Sequence, residues 1–245
     1  MAPIIVFAVW NSGAGLGLTT LFGTAGLWCL GFGRQARLRD AEAILSNDPR
    51  PPVLYLRAFR ADLLRTRLRD WRYAFVPWQR GYFEQLGGGL SLDTMLKPAI
   101  QSTVGPFIAM GKPDDTLAPF GAARLYRNEQ EWQDAVRGLL KRAAAILILG
   151  VESLGVVWEL ETIRVESDPR KLFILTFPTH TGHGANWAAF VRAAREIGYV
   201  LPPDDPGPGA VLAFDESWTA TLLLTQARAA DAYANAIAAR LASSA

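Results

Sequence analysis

From Ala144 to Thr176 the chain reads AAILILGVESLGVVWELETIRVESDPRKLFILT, and this stretch decides the fold. Ala144 to Leu149 is an unbroken apolar run, the pattern of a strand buried on both faces rather than on one. Gly150 to Ser153 makes a turn, and Ser153 is placed to cap the next helix. Val156 to Ser167 has helical spacing, and Lys171 to Thr176 is a second buried run. Two strands joined by a crossover helix predict parallel pairing.

The same alternation extends in both directions. The Pro cluster ending Asn47-Asp48-Pro49-Arg50-Pro51-Pro52 stops any preceding helix and introduces Val53 to Arg57 as a first strand. Leu92 to Val104 reads as a helix, Pro106 to Met110 as a strand, and Gly111 to Tyr126 as a Gly/Pro-rich loop. Asn128 to Arg142 and Trp187 to Ile197 read as helices, Ala210 to Phe214 as a last short strand, and Trp218 to Leu241 as a closing amphipathic helix. The expected class is α/β: a flavodoxin-like, mainly parallel sheet flanked by helices, over residues 53–245. Ligands of such sheets bind beyond the carboxyl ends of the strands. Residues 58–62, 111–126 and 150–158 are therefore expected to share one rim.

Composition bounds the rest. Half of the 245 residues are hydrophobic, which excludes a disordered chain. Lys and Arg number 25 against 23 Asp and Glu, a balance that argues against a nucleic-acid partner. The charges are unevenly placed, however: residues 1–33 contain no Lys, Arg, Asp, Glu or His. Leu16 to Phe32 is long and apolar enough to suggest a transmembrane anchor, preceded by a shorter run from Ile4 to Trp10. Arg34, Arg37 and Arg39 come immediately after, in a basic juxtamembrane linker over 34–52, and orient the C-terminal domain toward the cytoplasm. A single pass with membrane lipid as a partner is the expectation.

Competing readings of this head are a signal peptide, a buried core helix and a dinucleotide loop at Gly13, Gly15 and Gly17. The first lacks a positive n-region. The last lacks the G-x-G-x-x-G spacing and a downstream acidic residue. The lone cysteine, Cys29, lies in the head and excludes an intrachain disulfide. Residues 63–90 read as a basic, aromatic insertion in which Arg65, Arg67, Arg69 and Arg72 alternate with Trp71, Tyr73 and Phe75. Near a membrane, such a segment meets anionic headgroups.

Chemistry is expected on the Gly150–Ile163 stretch. With Val156, Leu160 and Ile163 as the buried stripe, 100° per residue puts Glu159 on its shoulder and Glu161 nearly opposite, in solvent. A sheltered carboxylate at this rim can bind sugar hydroxyls and stabilise a cationic transition state. The plainer alternative is a solvated Glu favoured by the helix dipole. His180 and His183 are the only histidines and lack a third ligand, so a polar loop is expected there rather than a metal site.

Val53-Leu-Tyr-Leu-Arg57-Ala-Phe59-Arg60-Ala-Asp62 resembles the first box of Toll/interleukin-1 receptor (TIR) domains. Ser153-Leu-Gly-Val-Val-Trp158-Glu159 resembles the Ser…Trp…Glu stretch of the TIR enzymes that cleave NAD, and is similar to the aromatic-Glu stretch of nucleoside deoxyribosyltransferases. The resemblance covers about residues 52–180. It departs from the family in the spacing from Trp158 to the acid, which keeps Glu161 as a rival to Glu159, and in the absence of a Cys after Trp158. It implies NAD as substrate rather than as bound cofactor, with Glu159 on the ribose and stabilising the cationic centre. Arg57 and Arg60 would lie near the phosphates, Phe59 or Trp158 would stack on a ring, and Ser153 would belong to the binding site. It also implies self-association through TIR-like surfaces, in particular the loop after the second strand; a non-catalytic signalling module and a deoxyribosyltransferase-like enzyme are the alternatives. The residues alone leave Arg57 and Arg60 open to pairing with Asp62, and Trp158 open to plain packing.

Overall fold

A computed structural model describes residues 41–58, 91–111, 122–126, 131–178 and 180–244. The expected anchor (1–33), the insertion (63–90), Phe59, Arg60 and Asp62 lie outside the described residues. No helix among the described residues is long and apolar enough to cross a membrane.

Seven strands form one sheet: β1 (Val53–Leu56), β2 (Phe107–Gly111), β3 (Ala123–Tyr126), β4 (Ala145–Leu149), β5 (Leu172–Leu175), β6 (Val211–Phe214) and β7 (Ala220–Leu224), in the order 3-2-1-4-5-6-7. The first five are parallel; β6 runs antiparallel to β5, and β7 antiparallel to β6. Every residue of β1, β2, β4, β5 and β6 is buried, which is why these strands read as continuous apolar runs. The order reverses between β1 and β4, whose register sets Val53 opposite Ala145 and Leu56 opposite Ile148. Pro52, which has no N–H to give, extends this ladder as an acceptor: its carbonyl takes the Ala144 N–H at 2.8 Å.

Six α-helices are present among the described residues: α1 (Ala41–Asn47), α2 (Leu92–Thr103), α3 (Trp132–Arg142), α4 (Leu154–Glu166), α5 (His180–Ile197) and α6 (Ala230–Ser244). α2 packs on α6, while α4 lies between α3 and α5. The sheet is therefore covered on both faces, as an all-buried parallel sheet requires. α1 ends at Asn47, just before the Pro cluster, and sends Ala41 into the core beside β3. Part of the expected linker thus belongs to the folded domain.

The structure corrects the expected elements at four points. The stretch expected as a loop to Tyr126 contains β3, whose Arg124 is 1% exposed and ion-paired with the equally buried Asp93 of α2. The expected helix over 218–241 begins only at Ala230, because residues 220–224 form β7. A tight turn makes that hairpin: the Asp215 carboxylate accepts from the N–H groups of Ser217 (2.9 Å) and Thr219 (3.0 Å), and Trp218 adopts φ +62°. The helix expected from Trp187 starts at His180, so the backbone at both histidines is helical rather than a loop. The flavodoxin-like order 2-1-3-4-5 is not observed as such. β3 adds an edge strand, and β6 runs opposite to its neighbours.

The buried Asp93–Arg124 pair ties α2 to the sheet edge, and burial holds the nearby Lys97 ammonium below its usual pKa, Asp93 opposing that shift and Arg124 adding to it. Asp93→Ala breaks the buried ion pair and is expected to cost about 3–5 kcal/mol in equilibrium denaturation. The double replacement Asp93→Leu/Arg124→Met recovers most of that loss, because an apolar pair needs no compensation.

Candidate functional site

The site is built where β1 and β4 end side by side. In a doubly wound sheet the crevice opens at the point where the strand order reverses, since crossovers there leave to opposite faces. Arg57 follows β1 at this point, and the Gly150–Ser153 turn follows β4.

The turn is tightly determined. The Gly150 N–H donates to the Leu175 carbonyl (2.8 Å), tying the end of β4 to the end of β5. A Cβ on Gly150 would stand 2.9 Å from the ring of Trp187, which is buried and stacks on Phe190 with centroids 5.6 Å apart. Only glycine lets α5 close this tightly over the turn. Beyond β5, the Thr176 hydroxyl donates to the Gly207 carbonyl (2.7 Å) and accepts from the Ala210 N–H (2.8 Å), closing the neighbouring part of the rim. Gly150, Trp187 and Thr176 carry no recognisable motif, and their roles emerge only from these contacts.

Ser153 caps α4, its hydroxyl accepting from the Val156 N–H at 3.3 Å. The cap sets the helix phase. Val156, Glu159, Leu160, Thr162 and Ile163 face inward, and Glu161 is exposed. Glu159 goes deeper than the shoulder position that spacing alone indicates: it is 6% exposed, and its Oε2 has no hydrogen-bond partner. Burial pushes its carboxyl up to about 8, against the opposing pull of the Arg57 guanidinium. Arg57 is itself 8% exposed and lies over the Tyr55 ring, 5.5 Å from its centroid.

The structure thus brings Arg57 and Glu159 together, while Ser153 acts as the cap of the helix that carries Glu159. It does not bring Glu161 there: that carboxylate lines a groove of about 680 Å³ between α4 and α5. Trp158 turns toward α3, edge-on to Trp132 with centroids 4.6 Å apart and with the Arg137 guanidinium 5.6 Å over its ring. Its ring is engaged in interhelix packing. Among the described residues no cluster of three or more His, Cys, Asp or Glu side chains is arranged to hold a metal ion. Compared with protein-family models, curated proteins and solved structures, the chain finds no match in any of the three.

A carboxyl with a native pKa near 8, against an ordinary value of 4.5, binds its proton more tightly folded than unfolded. Stability therefore falls as pH rises through this window, by as much as roughly 5 kcal/mol. Glu159→Gln keeps the shape and removes the titration. Its stability relative to the wild type is expected to increase from about pH 5 to about pH 9, as read from paired denaturation curves.

Proposed function

We propose that this chain is a membrane-anchored, TIR-like domain that hydrolyses NAD at the nicotinamide–ribose bond. The observation that carries the reading is Glu159: a buried carboxyl with an unpartnered oxygen, beside Arg57, at the switch point of a parallel sheet. A buried polar atom without a partner costs stability, and a site retains one where a ligand supplies the missing hydrogen bond. A ribose hydroxyl suits it. Leaving aside β3, strands β1, β2, β4 and β5 stand in the order 2-1-3-4 of a flavodoxin-like sheet, which supports the TIR-like reading. The charge-free residues 1–33 followed by Arg34, Arg37 and Arg39 support the anchor and a cytoplasmic domain.

In the proposed reaction the C1′–N bond breaks and its electron pair leaves with neutral nicotinamide. The ribosyl centre becomes oxocarbenium-like and is stabilised by the ionised Glu159. Water adds at C1′ and loses a proton, giving ADP-ribose. The cationic pyridinium of the substrate favours the carboxylate, offsetting the burial that disfavours it in the free protein. The Arg57 guanidinium shifts the same balance in the same direction, toward the carboxylate.

Detergent-solubilised full-length chain incubated with NAD is expected to release nicotinamide, and Glu159→Ala to lower that rate by about 10²–10³-fold. An assembled chain without turnover, or turnover indifferent to Glu159, overturns the enzymatic reading in favour of a non-catalytic self-associating module. Exchange of free bases on deoxynucleosides by the same preparation would favour the deoxyribosyltransferase-like alternative.

The pH profile gives a separate check. kcat/KM reports the free enzyme and is expected to rise with pH through about 8, the value to which burial moves Glu159. Arg57→Met removes the charge that lowers this pKa, so the midpoint is expected to move upward.

A further inference from the structure

Arg57 meets Glu159 from a platform that β1 itself supplies. Its guanidinium stands over the Tyr55 ring, 5.5 Å from the centroid. Residues two apart on an extended chain point to the same face, which is how the two side chains come to lie together. Tyr55 is firmly placed. Its backbone is laddered on both sides, in register with Ala109 of β2 and Leu147 of β4. Its ring is tilted against Phe107 with centroids 5.4 Å apart, and the residue is 1% exposed. An arginine just past a strand end has several rotatable bonds, and ordering them costs entropy. The electron-rich face of a buried ring offsets that cost, since its attraction for a cation strengthens where water is excluded.

We propose that Tyr55 is the positioning residue of the Glu159 site: its ring holds the Arg57 guanidinium in place and so keeps a fixed positive charge beside the carboxyl. In the enzymatic reading, on which this role for Tyr55 rests, a guanidinium free to swing would follow the phosphates of a bound dinucleotide and leave Glu159. Held on the ring, it stays with the carboxyl and favours the ionised form that the cationic pyridinium meets. Desolvation and Arg57 are the two influences on Glu159 among the described residues. The place of this one guanidinium therefore sets how far burial is opposed.

The decisive experiment separates the electrons of the ring from its shape. In the full-length chain in detergent, glutamate carboxyl carbons are labelled with carbon-13, and the signal absent from Glu159→Gln follows the titration of Glu159. Tyr55→Phe retains the ring face, and its midpoint is expected to match that of the wild type. Tyr55→pentafluorophenylalanine keeps the shape but reverses the charge distribution of the ring, so that the guanidinium is repelled. Its midpoint is expected to move upward by about half a pH unit or more. In an Arg57→Met background the two ring variants are expected to titrate alike. A pentafluorinated ring that leaves the midpoint unchanged, an equal shift in Tyr55→Phe, or a shift that persists without Arg57 overturns the positioning role. Nicotinamide release from NAD is measured on the same preparations. A shifted titration without any release upholds the role of Tyr55 and overturns the enzymatic reading instead.

Discussion

The parallel ladder between β1 and β4 is the constraint on which the rest of the domain depends. From this pair the chain winds outward in both directions, to β2 and β3 on one side and to β5, β6 and β7 on the other. Winding in opposite directions with one handedness sends the crossovers to opposite faces of the sheet. Arg57 and the turn leading to the helix of Glu159 lie at the carboxyl ends of the two central strands because of where the winding reverses.

Burying a carboxyl beside the strand ends has a cost that the surroundings only partly offset. Desolvation raises the pKa of Glu159 and Arg57 lowers it, with desolvation the larger effect. The folded protein therefore tends to hold this group protonated near neutrality, and a cationic or hydroxyl-bearing ligand is what would change that balance. Asp93 and Arg124 show the contrasting solution, a buried acid paired directly with a buried base. One carboxylate is satisfied within the fold, and the other keeps an unsatisfied oxygen.

Much of the architecture was legible in the sequence. The apolar runs at Val53–Leu56, Ala145–Leu149 and Leu172–Leu175 are strands, and the helix between the last two has the phase that buries Glu159 and exposes Glu161. The elements that were not legible share a physical cause. β3 is four residues carrying a buried arginine, and the Asp93 carboxylate that pairs with it comes from thirty-one positions earlier. β7 is a leucine-rich segment with good helix formers, held extended by β6 and by a turn in which Trp218 takes a conformation that non-glycine residues seldom adopt. Trp158 looked available for a ligand, and its partner Trp132 arrives from a helix that local spacing does not locate in space.

The sequence by itself determined the α/β class, the central strands, the helix phase of α4 and the uneven distribution of charge. These follow from short-range periodicity, which each segment carries alone. Tertiary structure decided the seven-strand order, the reversed β6 and β7, the packing of Trp187 on Gly150 and the depth at which Glu159 sits. Each of these depends on segments far apart in the chain competing for the same space, and desolvation acts only once they have met.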